Sequence, residues 1–321
     1  MHSQTGSKPK INQSLALGKP RNKIGGNGLL YILAIPGLMY LLMFCYLPMA
    51  GLVVVFKNYN FMDGIFGSPW VGFENFRFFF SSFDKAWRAT QNTVLLNSCY
   101  IVFGTAISLI LALLFNEIKG KTFLKAAQSV SFFPYFISWA VAGGLLLTLI
   151  DYDKGTVEQL LQWLGFAKID FFSEPKYWPV ILTISSIWKF SGYNAIIFYA
   201  VLRNLDPSYY ESAIVEGATR LQQMVRISLP LLRPTVIILT LLAVGRIFYG
   251  DLTMMLGLTN LNPVLYSTTD IIDTFVYRSV IKNGEFAMAS AVGLYQSIFG
   301  FSLVIAFNYV AGRFDKDYKI F

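Results

Sequence analysis

The sequence has one histidine, His2, and two cysteines, Cys45 and Cys99, in 321 residues. A lone histidine near the N-terminus excludes zinc-hydrolase ligand sets and Ser-His-Asp catalysis in this chain. Both cysteines fall in apolar runs, where buried free thiols are expected rather than a disulfide. Charge is scarce as well. Only 14% of residues are charged and 55% are hydrophobic, against about 25% and 45–50% in soluble domains. Gly120-Lys121-Thr122 has the form of the end of a phosphate loop. Phe115, however, stands where that loop needs its first glycine, and an apolar run rather than a strand precedes it. Neither a catalytic residue nor a cofactor or metal of its own is expected.

What the sequence has instead is long uncharged stretches. Leu29–Phe56, Thr93–Phe115, Ala126–Ile150 and Phe286–Gly312 contain no charged residue, and each exceeds the roughly 20 residues needed to cross a hydrocarbon core. Trp178–Leu202 and Pro234–Gly250 qualify with one cation apiece, Lys189 and Arg246. The pattern predicts an all-α integral membrane protein with six transmembrane helices. They are expected near residues 29–56, 91–116, 126–150, 178–202, 231–256 and 286–312, after a flexible tail over 1–28. Pro36, Pro48, Pro134 and Gly143–Gly144 fit this reading, since neighbouring helices can satisfy freed backbone groups. Residues 1–28 are polar and basic with no apolar core, so no cleavable signal peptide is expected.

The net charge of +8 is explained by topology. With both termini inside, fifteen basic residues fall on the cytoplasmic side and nine on the other, the bias that orients membrane proteins. No nucleic-acid motif accompanies the charge. Three segments on the outer side, 73–83, 156–166 and 268–281, read as short helices. The first two would plug the outer mouth. In the third, Asp270 stands early and Arg278 late, complementing a helix dipole.

The cytoplasmic stretch 206–230 is the informative one. Asp206-Pro207 reads as a helix start. Tyr210, Ala213, Ile214, Gly217 and Leu221 recur at helical spacing, predicting one helix near 207–225 with a single apolar stripe. Ala213 and Gly217 would form a narrow small-residue face on it. Glu211, Glu216, Arg220 and Arg226 would flank that face, and Pro230 and Pro234 would reset the chain.

Glu211-Ser212-Ala213, then Gly217, then Ile227-Ser228-Leu229-Pro230 resembles the cytoplasmic signature of binding-protein-dependent ABC importer permeases. That signature is Glu-Ala-Ala, three residues, Gly, nine residues, Ile, one residue, Leu-Pro. Ser212, for the usual alanine, is the one departure. Ile35-Pro36-Gly37, Phe56–Asn60, Gly67–Gly72 and Thr269–Thr274 resemble the branch serving oligosaccharides and polysaccharide fragments, to which alginate importers belong. The resemblance implies a type I importer permease fold in the bacterial inner membrane. It implies a coupling helix, carried by Glu211, Ser212, Ala213, Glu216, Gly217, Arg220, Ile227, Leu229 and Pro230, that docks on an ATP-binding subunit. Two such cytosolic subunits would bind the ATP and Mg, and a second permease subunit would complete a heterodimer. An extracytoplasmic solute-binding protein would meet the outer loops, including Asp270, Asp273 and Arg278.

Lys189 lies eleven residues into the fourth run and Arg246 twelve past Pro234, which places both near the bilayer midplane. A cation there is expected to face a cavity or a partner, and the sequence shows no acid at matching depth. The second permease subunit would supply one, or an anionic cargo such as a uronate would, matching the planar fork of Arg246. Trp188, Tyr193 and Tyr249 offer stacking surfaces for sugar rings, with helix packing as the other reading. Permeases for neutral oligosaccharides fit the same features. An ion-coupled secondary transporter fits the midplane cations, but the 206–230 signature has no role in one.

Overall fold

The computed structural model describes residues 28–81 and 83–314; of the tail expected over 1–28, residues 1–27 lie outside them, as do the basic residues Lys316 and Lys319. The chain forms two units, one ending at Leu52 and one beginning at Val53. In the first, helix α1 (Gly28–Leu41) widens into a π turn at Leu42–Tyr46, just ahead of Pro48. Proline has no N–H to donate to the preceding turn, and a widened turn accommodates that loss. Leu30–Phe56 is long and apolar enough to cross a membrane.

In the second unit, α2 (Glu74–Ser81) precedes the 35-residue α3 (Phe83–Glu117), about 50 Å long. Then come α4 (Lys121–Phe132), α5 (Trp139–Ile150) and α6 (Thr156–Trp163). The long α7 (Trp178–Arg203) leads into α8 (Ser208–Val215), α9 (Arg220–Gln223) and α10 (Leu229–Val244). Last are α11 (Leu252–Thr259), α12 (Ile272–Asn283) and α13 (Phe286–Phe314). Among the described residues the only extended pairing is an isolated bridge between Lys57 and Trp70. The three short helices expected at 73–83, 156–166 and 268–281 correspond to α2, α6 and α12.

Two of the expected spans are broken. The run at 126–150 is not one helix: α4 and α5 meet at 101° across a tight turn at Phe133–Phe136 that contains Pro134. The stretch 231–256 is likewise interrupted, since α10 ends at Val244 and α11 begins only at Leu252. Among the described residues, five helices are long and apolar enough to span, or six if the bent pair counts as one.

Lipid tails are as apolar as leucine, so helices in a bilayer associate through close packing and small residues rather than water exclusion. The contacts follow that rule. Ala112 and Phe115 of α3 pack on Ala195, Phe198 and Leu202 of α7, with Leu232 of α10 closing the cluster. A side chain at Gly192 of α7 would strike the backbone of Ser131 and Phe132 in α4. One at Gly143 of α5 would strike the Gly257 carbonyl, and one at Gly257 of α11 the backbone of Trp139. The two half-helices that follow the breaks, α5 and α11, thus lie backbone against backbone. Around them Trp139, Ile150, Trp178, Leu182, Met254 and Leu258 form the largest buried cluster.

Candidate functional site

The 206–230 segment is two helices with a sharp turn between them, not the single helix with one stripe that the spacing predicts. Asp206 Oδ1 accepts the Ser208 N–H at 2.9 Å and starts α8. That bond holds the Asp206 carboxyl below the usual carboxylate range. The helix stops at Gly217, whose φ is +79°. There the N–H groups of Gly217 and Ala218 return to the carbonyls of Ile214 and Ala213, at 3.0 and 2.9 Å. Next, Thr219 opens α9 with a capping box. Its hydroxyl accepts the Gln222 N–H at 3.3 Å, and the Gln222 side chain accepts the Thr219 N–H at 2.7 Å. Gly217 therefore makes the corner and shares no face with Ala213.

From α9 the chain passes through a π turn, Met224–Ser228, into α10, which carries Ile227 into the start of a span at Leu229-Pro230. Glu211, Ser212, Glu216, Gly217, Arg220, Leu229 and Pro230 are exposed; Ala213 and Ile227 are half-buried. The segment is tied back to the helices it joins. Tyr210 and Ser228 share a hydrogen bond of 2.9 Å, Gln223 donates to the Ala218 carbonyl, and Arg220 pairs with Glu117 of α3 at 3.6 Å. Ile214, Val215 and Leu221 remain largely exposed, a ridge of apolar side chains outside the helix bundle.

A cavity of about 630 Å³ opens among α3, α7, α10 and α11. Tyr100 and Ser191 on its wall lie near the midpoints of α3 and α7, so it sits at mid-bundle. Its polar wall includes Asn97, Thr105, Ser186, Asn194, Arg246 and Asp251, with Phe190 and Tyr249 beside them. The exposed Arg246 makes no ion pair among the described residues. Asp251 corrects the expectation that no acid lies at this depth. Both its oxygens are engaged: Oδ2 accepts the Trp139 indole N–H at 2.7 Å, and Oδ1 accepts from Met254 N–H and the Thr253 hydroxyl.

Irregular backbone at membrane depth is tolerated only where its freed polar groups find partners, and both breaks are repaired by side chains. Asn97 donates to the carbonyls of Ile247 and Tyr249 at 2.8 and 3.0 Å, and Gln296 to that of Phe248 at 2.8 Å. At the other break, buried Lys189 donates to the carbonyls of Tyr135, at 3.1 Å, and Ile137. Its ammonium also lies 5.1 Å from the centre of the Trp139 ring. Lys189 therefore does not line the cavity; the carbonyls released by the bend at Pro134 consume it. Trp188 is exposed away from the cavity wall, and Tyr193 stacks on Tyr135 with ring centres 4.7 Å apart. Of the five residues expected on a path, the structure brings Arg246 and Tyr249 to the cavity.

The three outer residues expected to meet a binding protein also have internal partners. Asp270 is buried, pairs with Arg278 at 2.8 Å and accepts the Thr274 hydroxyl at 2.8 Å. Asp273 accepts the Gly250 N–H at 2.6 Å, completing the repair of the second break from α12. Burial pushes the Asp273 carboxyl upward, against the pull of the Gly250 and Gln296 donors.

Comparison with known proteins agrees with this architecture. Residues 100–316 match the family described as binding-protein-dependent transport system inner membrane component. The chain is 37% identical to protein LplB of Bacillus subtilis (strain 168), covering 90% of each. It is 32% identical to the polygalacturonan/rhamnogalacturonan transport system permease protein YteP of the same organism, over 90% of this chain and 89% of that one. It also superposes, with a TM-score of 0.80 and 32% identity, on a chain of a bacterial ABC transporter involved in the import of the acidic polysaccharide alginate. The match covers 90% of this chain and 97% of the other. A second structure of a bacterial alginate ABC transporter, in complex with an alginate pentasaccharide-bound periplasmic protein, matches equally well. The all-helical bundle with broken spans, the 206–230 segment and these matches together place the chain in the binding-protein-dependent transport system inner membrane component family, as a multi-pass permease of the type I ABC importer fold.

Proposed function

We propose that this chain forms half of the path by which an ATP-driven importer admits an acidic oligo- or polysaccharide delivered by a solute-binding protein. The observation that carries the proposal is Arg246. It stands in the mid-bundle cavity, without an ion pair among the described residues, beside hydroxyl and amide groups. Asp251, on the same wall, forms no ion pair with it among the described residues and directs its oxygens to three neutral donors instead. A guanidinium in low dielectric favours a carboxylate, which it can hold through two parallel hydrogen bonds. Support comes from the polysaccharide and alginate systems named above.

In this reading a second permease subunit supplies the other wall. Two ATP-binding subunits hold ATP and Mg, and this chain contributes no catalysis. The ridge of Ile214, Val215 and Leu221 seats on one of them, which puts the 206–230 side in the cytoplasm with both termini. Displacement of the segment would be carried to α3 through Arg220–Glu117 and to α10 directly, and α10 ends at the cavity. Asp270, Asp273 and Arg278 would support the outer face by bracing α12, not by touching the binding protein.

The test is ATPase activity of the reconstituted complex with its binding protein, comparing acidic oligouronates with neutral oligosaccharides of equal length. Stimulation by the acidic series is expected; equal stimulation by the neutral series would leave an importer without acid selectivity. Lys189 gives a separate expectation. Lys189→Met strips donors from the Tyr135 and Ile137 carbonyls, each loss costing about 1–3 kcal/mol. The thermal midpoint of the solubilised complex should fall by several degrees while preference for acidic over neutral cargo stays. An unchanged midpoint with altered preference would return Lys189 to the path.

A further inference from the structure

At the end of α3 remote from the 206–230 segment lies a second cavity, of about 240 Å³, between the start of α3 and the end of α12. Lys85 and Arg88 line it from α3, Arg278 and Lys282 from α12, and Tyr266 and Asp270 from the turn before α12. Asp270 is the one acid on this wall, and Arg278 and Thr274 already hold it. Lys85, Arg88 and Lys282 are thus a surplus of positive charge, with no ion pair among the described residues. Two buried donors here, Arg88 Nε and Arg278 Nη1, have no hydrogen-bond acceptor. Buried donors without acceptors are costly, and clustered cations repel one another. Both costs fall when an oxyanion enters.

We propose that this cavity binds a phosphate oxyanion, carried by the headgroup of an anionic phospholipid. Its level in the bilayer selects that source. The apolar stretch of α3 begins at Thr93, after the polar Gln91 and Asn92, so Arg88 and Lys85 stand about 7.5 and 12 Å beyond it along the helix. Headgroups occupy roughly the first 5–8 Å outside the hydrocarbon, within reach of both side chains. Trp87 and Ile281 are largely exposed next to the site, giving the apolar and aromatic rim typical of a membrane interface. A guanidinium fork matches phosphate oxygens, and basic pockets between spans hold lipid headgroups elsewhere. The inference depends on the chain spanning a membrane and not on the cargo it carries.

The experiment uses the assembled transporter, delipidated in detergent and then given phosphatidylglycerol, phosphatidylcholine or inorganic phosphate. Native mass spectrometry reads retained lipid, and a thermal shift reads stabilisation. Phosphatidylglycerol should be retained at least about tenfold better than phosphatidylcholine. The triple variant Lys85→Gln, Arg88→Gln, Lys282→Gln should lose that preference. The double variant Lys85→Gln, Lys282→Gln changes only exposed side chains and should weaken the preference while keeping the basal ATPase, which separates lost binding from lost folding. Equal retention of the two lipids, or undiminished preference in both variants, overturns the proposal. Stabilisation by inorganic phosphate with no lipid retained overturns the lipid source, and so does weakened capture of the binding protein with lipid retention intact.

Discussion

Gly217→Val should leave the permease in the membrane but cut ATP-driven transport by roughly five- to thirtyfold. The figure is the left-handed backbone penalty of about 1–2 kcal/mol, or somewhat more for a β-branched residue, expressed as a population shift. Gly217 has φ +79°, and a Cβ built there meets nothing within 4 Å. The cost is therefore one of backbone conformation and not of collision. That distinction sets the control. Asparagine adopts the left-handed region far more readily than valine, so Gly217→Asn should restore most of the transport. ATPase stimulation and uptake, measured side by side in proteoliposomes, read the effect. Equal loss in the two variants would mean that side-chain space on the docking surface matters and the corner does not. Equal retention would mean that the α8–α9 corner is not needed for coupling.

Gly257→Val should damage the fold severely. The added carbons would meet the backbone of Trp139, which cannot swing aside as a side-chain tip can. Overpacking of this kind costs typically about 1–3 kcal/mol, and more where only backbone can move. Gly143→Val attacks the same contact from α5, against the Gly257 carbonyl. Two lesions at one contact are not independent, so the double variant should lose less than the two single losses combined. Gly144→Ala, one residue along, meets nothing within 4 Å and should be neutral. Thermal midpoints and the yield of assembled complex in detergent report all four. An intact Gly257→Val complex with a damaged Gly144→Ala one would refute the backbone contact between α5 and α11.

The membrane class was legible because it depends only on run length and missing charge. Where the spans break was less so. Pro134 marks one bend, yet proline is tolerated within spanning helices and so does not announce a 101° turn. The role of Lys189 was out of reach for a related reason. Its depth follows from counting, but the carbonyls it serves lie more than 50 positions away in sequence. Asn97 and Gln296 carry no signal in the sequence, and Asp273 reads there only as an outer-loop contact, because the repair role of each exists only once the α10–α11 break is there to be repaired. The division of the 206–230 segment, by contrast, was present in the letters. Thr219 and Gln222 stand at capping-box spacing directly after Gly217, and together they announce a stop and a restart. The helical periodicity running through Gly217 concealed it.

Arg246 carries the account of cargo, and uptake by proteoliposomes containing the full transporter tests it most directly. Labelled acidic and neutral oligosaccharides of matched length would be compared in wild type, Arg246→Ala and Arg246→Lys. Removing a charge-assisted, two-pronged hydrogen bond is worth about 1.5–3 kcal/mol. Arg246→Ala should therefore weaken acidic uptake roughly 10- to 150-fold, leave neutral uptake unchanged, and be partly rescued in Arg246→Lys. Acidic uptake that survives Arg246→Ala intact, or a fall of equal size for both cargoes, would contradict the assignment of Arg246 to the cargo carboxylate.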